Sequence, residues 1–295
     1  MNGPVSEQQV AIGSSGEERV AGGPCRAAVL GKPVAHSLSP VIHNAGFRAA
    51  GLAGWSYTAH ECSEAELPGL VAGLDERWAG LSLTMPLKET SLGVADEVAP
   101  LAAAIGAANT LIRRPIGGWR AENTDAPGMV DALRGVGIAA VERMAILGAG
   151  GTARAALAAA RDLGATSVIV YARRAEAIEE LAEVAEGLDV DMLGAEWEDA
   201  SKAGDADVVV STMPKGVADA LAATIGWRPD GVFFDALYDP WPTPLAASAL
   251  LGGCTVVSGL ELLLTQAARQ FLLFTGVAAP MDAMRNALQA AVASR

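Results

Sequence analysis

A glycine-rich turn near the middle of the chain restricts the fold more than any other feature. Residues 144–155 read MAILGAGGTARA, in which a short apolar run ends at Gly148 and a helix-forming run begins at Gly151. Gly148 permits a tight turn out of a strand, Gly150 lets a pyrophosphate approach the backbone, and the small Ala153 allows close helix–strand packing. The pattern therefore points to a strand–turn–helix unit that can hold a dinucleotide.

The surroundings of this turn favour a dinucleotide site over a purely structural turn. An alanine-rich helix is predicted directly after it, over 155–160, and a second strand follows over 167–170. The N-terminus of such a helix presents free N–H groups and the positive end of its dipole to a phosphate. The predicted cofactor-binding residues of the turn are Gly148, Ala149, Gly150, Gly151, Thr152 and Ala153.

Strands alternate with helices on both sides of the turn, which predicts an α/β fold with a parallel sheet in each half. The second half has the pattern of a doubly wound Rossmann domain with five strands. Two helical segments, 260–274 and 281–293, lie beyond the last strand, and we expect them to return to the first half. The five strands are predicted at 145–147, 167–170, 208–211, 232–235 and 255–257.

About half of the chain precedes the turn. This N-terminal half must therefore have a function other than binding the cofactor. Pro127 and Gly128 are expected to break the chain between the two halves. The predicted division has a flexible tail at 1–25, a substrate-binding catalytic domain at 26–125 completed by 262–295, and a cofactor-binding domain at 126–261. A cleft should separate the two domains.

Composition narrows the function classes. The chain has 295 residues, 51% of them hydrophobic, which suits two domains of ordinary size. The net charge of −13 and the pI near 4.7 argue against nucleic acid as a partner. No apolar run reaches the ~18–20 residues of a membrane span, and the first 25 residues lack the apolar core of a signal peptide. We expect a small-molecule substrate, and monomer and homodimer are both open.

The cysteines and histidines lack the spacing of a metal site or a redox pair. No C-x-x-C pattern occurs, and no two histidines have a convincing partner ligand. These patterns predict a cytoplasmic protein with neither metal nor disulfide. The residues concerned are Cys25, Cys62, Cys254, His36, His43 and His60.

Three polar residues in the first half could carry chemistry. Taken singly, each of them has an alternative without a role in chemistry. Lys88 could be a solvated surface charge, Asp125 could be a helix cap before Pro127, and Asn109 could be a turn residue. All three lie at the ends of predicted strands in one domain, where ligands bind in open α/β sheets. Together they form a candidate reaction site.

Seven segments, in register from Arg26 to the last helix, resemble motifs of the shikimate dehydrogenase family, whose members are NADP-dependent enzymes of aromatic amino-acid biosynthesis. The resemblance implies reversible reduction of 3-dehydroshikimate to shikimate. The segments are GKPVAHSLSP at 31–40, TMPLK at 84–88, AANT at 107–110, NTD at 123–125, GAGGTAR at 148–154, DALYDPWPTP at 235–244 and SGLELLLTQ at 258–266.

The resemblance also implies roles for individual residues. Lys88 and Asp125 would be the catalytic pair, with Lys88 either stabilising the developing alkoxide or assisting proton transfer. Neutral groups with defined donor and acceptor directions suit a polyhydroxylated acid. The substrate carboxylate would be bound by Ser37, Ser39 and Tyr238. The ring hydroxyls would be bound by Thr84, Asn109 and Gln266. The cofactor site would also include Thr212, Met213, Leu237 and Gly259. For Ser37 and Ser39 the alternative is loop and helix capping before Pro40.

The chain departs from the family pattern at three places. Ser82 stands where the family commonly has Asn, which would shorten any contact from that position. Ala126 follows the NTD motif in place of the usual Gly, which could alter the hinge without touching the carboxylate. The long N-terminal tail is additional.

The second strand of the cofactor domain indicates NADP rather than NAD. An NAD enzyme normally carries an acidic residue about 20 residues past the glycines. Here the chain reads VYARR at 170–174, with Arg173 and Arg174 available to bind a 2′-phosphate. The family often has Asn-Arg-Thr at this point. In this chain Ala172 stands in place of the Asn, and Arg174 stands in place of the Thr. The alternative is a pair of solvated charges after a strand.

Three other functions fit parts of the sequence. A quinate/shikimate dehydrogenase of the same family is the nearest, although Ser37 and the two arginines favour shikimate. A methylenetetrahydrofolate dehydrogenase would need a pocket for a large folate, for which the Ser-Leu-Ser loop gives no reason. A catalytically silent NADP-sensing homologue would be favoured by loss of Lys88 or Asp125, and both are present.

Overall fold

The structure, a computed structural model, describes residues 25–295. The tail predicted at 1–25 lies outside the described residues except for Cys25. Two six-stranded sheets follow one another along the chain, and the helices at the C-terminal end pack back onto the first sheet. The α/β fold class expected from the sequence is confirmed.

The first sheet has the strand order β2-β1-β3-β5-β6-β4. We expected a parallel sheet, but β5 runs antiparallel to both β3 and β6. A tight turn over 114–118, which contains two glycines with positive φ, joins β5 to β6 as a hairpin and so makes these two strands antiparallel. The elements are β1 (Arg26–Gly31), α1 (Ser39–Ala49), β2 (Ser56–Glu61), α2 (Leu67–Ala72), β3 (Trp78–Leu83), α3 (Leu87–Thr90), β4 (Glu97–Val98), α4 (Pro100–Ile105), β5 (Thr110–Arg113) and β6 (Trp119–Glu122).

The second sheet is parallel throughout, in the order β12-β11-β10-β7-β8-β9. This is the doubly wound order expected from the glycine-rich turn. The sequence predicts five strands, and the sheet has six. The additional strand is β9, which the sequence pattern does not reveal because it is a mostly exposed edge strand without an apolar run. The elements are α5 (Asp125–Gly135), β7 (Arg143–Leu147), α6 (Gly151–Asp162), β8 (Ser167–Ala172), α7 (Ala175–Gly187), β9 (Met192–Glu196), β10 (Val208–Ser211), β11 (Val232–Asp235), α8 (Pro244–Leu251) and β12 (Thr255–Ser258).

Two helices, α9 (Gly259–Thr275) and α10 (Met281–Ala293), complete the first half, as expected. Helix α10 packs on α1, and α9 packs on α1, β3 and β5. The aromatic rings of Phe271 and Phe274 are fully buried there, together with Phe47. Their burial anchors α9 against the first sheet, and this fixes the polar face of α9 near the ends of β3 and β5.

The break expected at Pro127 and Gly128 is wrong, because both residues lie inside α5. A proline is tolerated there because the N–H groups of the first helical turn have no partner within the helix. At Gly128 a Cβ would lie 3.0 Å from the backbone nitrogen of Gln266, and the Gly128 carbonyl accepts a hydrogen bond from Thr265 Oγ1 at 2.8 Å. Glycine thus lets α5 cross α9 closely, which brings Asp125 to the polar face of α9.

Among residues 25–295, no helix is both long and apolar enough to cross a membrane.

Candidate active site

A cavity of about 340 Å³ lies where the ends of β1 and β3 face the beginning of α9. All eight residues predicted for catalysis or substrate binding line it, although they come from distant parts of the chain. Their positions thus agree with one site, while their individual roles stay predictions. These residues are Ser37, Ser39, Thr84, Lys88, Asn109, Asp125, Tyr238 and Gln266.

Lys88 and Asp125 form an ion pair in this cavity, with Nζ 2.6 Å from Oδ2. Lys88 lies on the short helix α3 just after β3, and its carbonyl accepts a hydrogen bond from the N–H of Ala108 at 2.7 Å. The two side chains are 23% and 10% exposed, so the pair is mostly withdrawn from water yet open to the cavity. A charge-assisted hydrogen bond of this length fixes both groups in direction.

Asp125 is the first residue of α5, where the helix dipole favours a carboxylate. The alternative that Asp125 caps this helix is wrong, because the side chain of Asn123 caps it. Asn123 Oδ1 accepts hydrogen bonds from the N–H groups of Asp125 and Ala126 at 3.0 and 3.1 Å. The Asp125 carboxylate therefore stays available to the cavity, where Asn109 Nδ2 donates to its Oδ1 at 2.9 Å.

The loop before α1 forms the opposite end of the cavity. Ser37 Oγ accepts the backbone N–H of Ser39 at 3.3 Å, and both serines line the cavity. Tyr238 faces the same end, and burial raises the pKa of its hydroxyl, so the phenol remains a hydrogen-bond donor at neutral pH. Arg295 donates to the carbonyl of His36 at 2.6 Å and so ties the end of the described chain to this loop.

A second cavity, of about 570 Å³, lies at the glycine-rich turn. It opens at the C-terminal ends of β7, β8 and β10, which is the point where the strand order reverses and where doubly wound sheets bind ligands. Arg173 and Arg174, which the sequence predicts to bind a 2′-phosphate, line it at the end of β8. The other lining residues are Gly148, Ala149, Gly150, Ala172, Ala177, Thr212, Met213 and Pro214.

The glycines of the turn fit a bound pyrophosphate. Gly148 has φ +103°, and a Cβ there would lie 2.6 Å from Thr212 Oγ1, so the protein itself requires glycine. At Gly150 and Gly151, a Cβ would meet no atom within 4 Å among the described residues. Their glycines leave room at the start of α6, where the free N–H groups of the first turn can meet a phosphate.

Of the four remaining residues predicted to bind the cofactor, one lines either of these two cavities. Thr152 and Ala153 lie in the first turn of α6, with Ala153 fully buried. Gly259 lines the smaller cavity beside the predicted substrate residues. Leu237 lines neither cavity, and its carbonyl accepts the N–H of Gly259 at 3.1 Å.

Sequence reasoning missed a set of buried polar residues in the wall of the smaller cavity, and two of them, Ser82 and Gln270, line it. Gln270 is 1% exposed and hydrogen-bonds to Ser82 and Thr110. The available signal was the spacing of Gln266 and Gln270, which places two amides on one face of an otherwise apolar α9.

Within residues 25–295, no group of three or more His, Cys, Asp or Glu side chains is placed to hold a metal ion. The polar cavity at the Lys88–Asp125 pair and the glycine-lined cleft of the parallel sheet are thus the two candidate binding sites of this α/β fold.

Comparison with known proteins gives the family. A family model described as the shikimate dehydrogenase substrate binding domain matches residues 29–111, and one described as the shikimate 5'-dehydrogenase C-terminal domain matches residues 259–289. The shikimate dehydrogenase (NADP(+)) of Moorella thermoacetica is 38% identical over 281 residues, covering 90% of this chain and 92% of that protein. The chain belongs to the shikimate dehydrogenase family.

Solved structures agree with this assignment. The Mycobacterium tuberculosis shikimate dehydrogenase matches with a TM-score of 0.84 and 44% identity, over 90% of this chain and 100% of that chain. The Thermus thermophilus enzyme, in complex with NADP(H) and shikimate, matches with a TM-score of 0.79 and 33% identity, over 90% of this chain and 99% of that chain.

Proposed function

We propose that this protein catalyses the reversible, NADP-dependent reduction of 3-dehydroshikimate to shikimate. The observation that carries the proposal is the Lys88–Asp125 pair, 2.6 Å apart and open to a polar cavity. Membership of the family makes shikimate and NADP the first ligands to consider. The cavity volume of about 340 Å³ suits a small ring acid better than a folate.

Reduction of a ketone needs a hydride and a proton, and NADPH supplies the hydride when bound. Lys88, with three N–H donors, can hydrogen-bond the carbonyl oxygen and stabilise the negative charge that develops on it. The same ammonium group is placed to deliver the proton that completes the hydroxyl. Asp125 directs the ammonium through its Oδ2 and can accept a hydrogen bond from the neighbouring ring hydroxyl.

The rest of the cavity supplies directional contacts for the substrate. We place the carboxylate at Ser37, Ser39 and Tyr238, and the ring hydroxyls at Thr84, Asn109 and Gln266. Gln266 donates its Nε2 to the carbonyl of Leu263 at 2.9 Å, which leaves Oε1 as an acceptor toward the cavity. A substrate lacking one of the hydroxyls would leave a polar group unpaired, so the site should discriminate strongly.

We propose NADP rather than NAD because two arginines lie at the end of β8. Neither Arg173 nor Arg174 forms an ion pair with another residue in the described part of the chain, so both guanidinium groups are available to a 2′-phosphate.

We divide the molecule into a substrate domain of 26–125 with 262–295 and an NADP domain of 126–261. Cys62 and Cys254 are buried thiols, which fits a reducing compartment, and we propose the cytoplasm.

The test is a comparison of substrates with the purified protein. NADPH oxidation is measured with 3-dehydroshikimate, with the ketone derived from quinate and with methenyl-tetrahydrofolate, each over a range of concentrations. We expect turnover with 3-dehydroshikimate at a kcat/KM far above the other two. Higher kcat/KM with the quinate-derived ketone would make the protein a quinate dehydrogenase, and tight NADPH binding without turnover would make it a sensor.

A further inference from the structure

A buried chain of hydrogen bonds begins at Tyr57 and runs along the wall of the candidate active site, where Ser82 and Gln270 line the cavity. The Tyr57 hydroxyl donates to Ser82 Oγ at 2.6 Å, and Ser82 Oγ donates to Gln270 Oε1 at 2.6 Å. The three side chains come from β2, β3 and α9 and are all at least 95% buried. The same chain continues on the other side of Gln270 toward the catalytic pair.

Two further bonds lead from Gln270 to the cavity. Gln270 Nε2 donates to Thr110 Oγ1 at 2.9 Å, and Thr110 Oγ1 donates to Asn109 Oδ1 at 2.9 Å. Asn109 Nδ2 then donates to Asp125 Oδ1 at 2.9 Å. A continuous series of five hydrogen bonds therefore connects a tyrosine on the second strand to the carboxylate that holds Lys88.

A backbone carbonyl fixes the direction of the first part of the series. Gln270 Nε2 lies 3.2 Å from the Asn109 carbonyl oxygen, which can only accept, so the amide nitrogen of Gln270 must face it. Gln270 Oε1 then faces Ser82, which must donate. Ser82 in turn accepts from Tyr57, and burial raises the pKa of the Tyr57 hydroxyl, so this donor stays protonated.

A backbone N–H fixes the second part. The N–H of Thr124 can only donate, and it meets Asn109 Oδ1 at 2.8 Å. The amide nitrogen of Asn109 must then face Asp125. Thr110 supports this orientation because its hydroxyl, having accepted from Gln270, has its own proton to give to Asn109 Oδ1. Rotation of the Asn109 amide would put its oxygen against the Asp125 carboxylate.

We propose that Gln270 and Thr110 are positioning residues for the reaction. They hold Asn109 with its N–H toward Asp125 Oδ1, so that Oδ2 remains directed at Lys88 when substrate hydroxyls enter the cavity and compete for both side chains. Ser82, which stands where the family commonly has Asn, accepts from Tyr57 and donates to Gln270 within this chain of bonds. The proposal rests on the function proposed above. Thr110 does not line the cavity, whereas Gln270 lines it beside the predicted substrate residues.

The test uses two substitutions at one position. Thr110→Val keeps the shape and removes the hydroxyl, whereas Thr110→Ser keeps the hydroxyl. Since a small misplacement of catalytic groups can cost up to about 100-fold, we expect Thr110→Val to lower kcat by about 10-fold with a change in KM of less than about 3-fold. Thr110→Ser should retain most of the kcat. Gln270→Leu should lower kcat as well, and because Gln270 lines the cavity, its KM should also rise.

Thr275→Val is the matched control, because Thr275 donates its hydroxyl to the Phe271 carbonyl at the far end of α9, outside the chain of bonds. It loses this bond and the one that the Thr275 hydroxyl accepts from the Val277 N–H at 3.1 Å, and it should keep the wild-type kcat. Melting temperatures are measured for all four variants. Equal kcat for Thr110→Val and wild type, or equal loss in Thr110→Val and Thr110→Ser, overturns the proposal. An inactive wild-type protein would instead overturn the proposed function.

Discussion

Lys88 Nζ and Asp125 Oδ2 lie 2.6 Å apart although 37 residues separate them in the chain. Lys88 belongs to the helix after β3, and Asp125 begins α5, which also packs on α6 of the parallel sheet. The Lys88–Asp125 ion pair therefore lies where the two halves of the molecule join. A change in the angle between the halves would act directly on the carboxylate and on the direction of the ammonium group.

Substitution of either member of the pair should abolish most of the activity while the fold remains. General acid–base groups contribute about 10²–10⁴-fold to a rate, so we expect Lys88→Ala and Asp125→Asn each to lower kcat within this range. Steady-state NADPH oxidation with 3-dehydroshikimate measures the loss. NADPH binding, followed by fluorescence, should be unchanged because the glycine-rich cleft is separate.

Lys202→Ala is the control for removal of a lysine, since Lys202 is exposed and pairs with Asp199 on the surface. It should leave kcat at the wild-type level. A Lys88→Ala variant that keeps a near-normal kcat would show that the charge at this position does not contribute to the reaction.

The parts of the fold with strong local signals could be predicted from the sequence. The turn at Gly148 fixes the start of α6, and the apolar runs of the parallel strands fix five of the six strands of the second sheet. Strand β9 could not be found because its residues are mostly exposed and show no alternation. The antiparallel β5 was missed because pairing direction depends on the hairpin at 114–118 and not on strand composition.

The residues of the candidate site likewise divide into those that the sequence could predict and those that it could not. The predicted site residues lie in short motifs, such as the segment that ends in Lys88 and the NTD segment that ends in Asp125, so a resemblance could find them. Gln270 and Thr110 act through contacts between α9 and β5 that no local pattern contains. The closeness of α9 to that strand follows from the packing of Phe271 and Phe274, which is a property of the whole core.

Cofactor preference should depend on Arg173. If its guanidinium binds the 2′-phosphate, Arg173→Ala should raise the KM for NADP by about 10-fold or more, because a charge-assisted hydrogen bond contributes about 1.5–3 kcal/mol. The KM for NAD, which lacks this phosphate, should hardly change. Steady-state kinetics with both cofactors measures the ratio.

Arg161→Ala removes an exposed arginine from α6 that pairs with Asp162, and it should alter neither KM. A parallel rise in both KM values for Arg173→Ala would mean that this arginine contacts a part of the cofactor common to NAD and NADP. In that case Arg174 would become the residue to test for the 2′-phosphate.

Asp235 should make the folded state less stable as the pH rises. This carboxyl is buried at the end of β11, and desolvation raises its pKa above the ordinary 3.8 although Thr243 and Leu237 donate to it. The native state then binds the proton more tightly than the unfolded state, so its contribution to stability is present below pH 3.8 and is lost as the pH rises through the raised value.

Asp235→Asn keeps both contacts, since an amide can accept from Leu237 and donate to Thr243, but it cannot ionise. The variant should therefore gain stability relative to wild type as the pH rises from 3.8, and the gain should level off above the raised pKa. Urea unfolding of both proteins across this range gives the difference. A difference that does not change with pH contradicts the expected linkage.

Gly80 should be intolerant of even a methyl group. It lies in β3 under α9, where a Cβ would overlap the ring of Phe274, which is itself fully buried. Overpacking of a core costs about 1–3 kcal/mol, whereas replacing glycine by alanine stabilises by about 0.4–1 kcal/mol through the unfolded chain. The overlap should dominate, so Gly80→Ala is expected to lower the free energy of unfolding.

Gly69→Ala separates the two effects, because Gly69 lies in α2 with no atom within 4 Å of its Cβ position among the described residues. It should raise the free energy of unfolding by about 0.5–1 kcal/mol. Urea unfolding of the two variants should thus give shifts of opposite sign relative to wild type. A stabilised Gly80→Ala would mean that α9 can move away from the first sheet at no cost, in which case kcat should also change, since Gln266 and Gln270 would move with the helix.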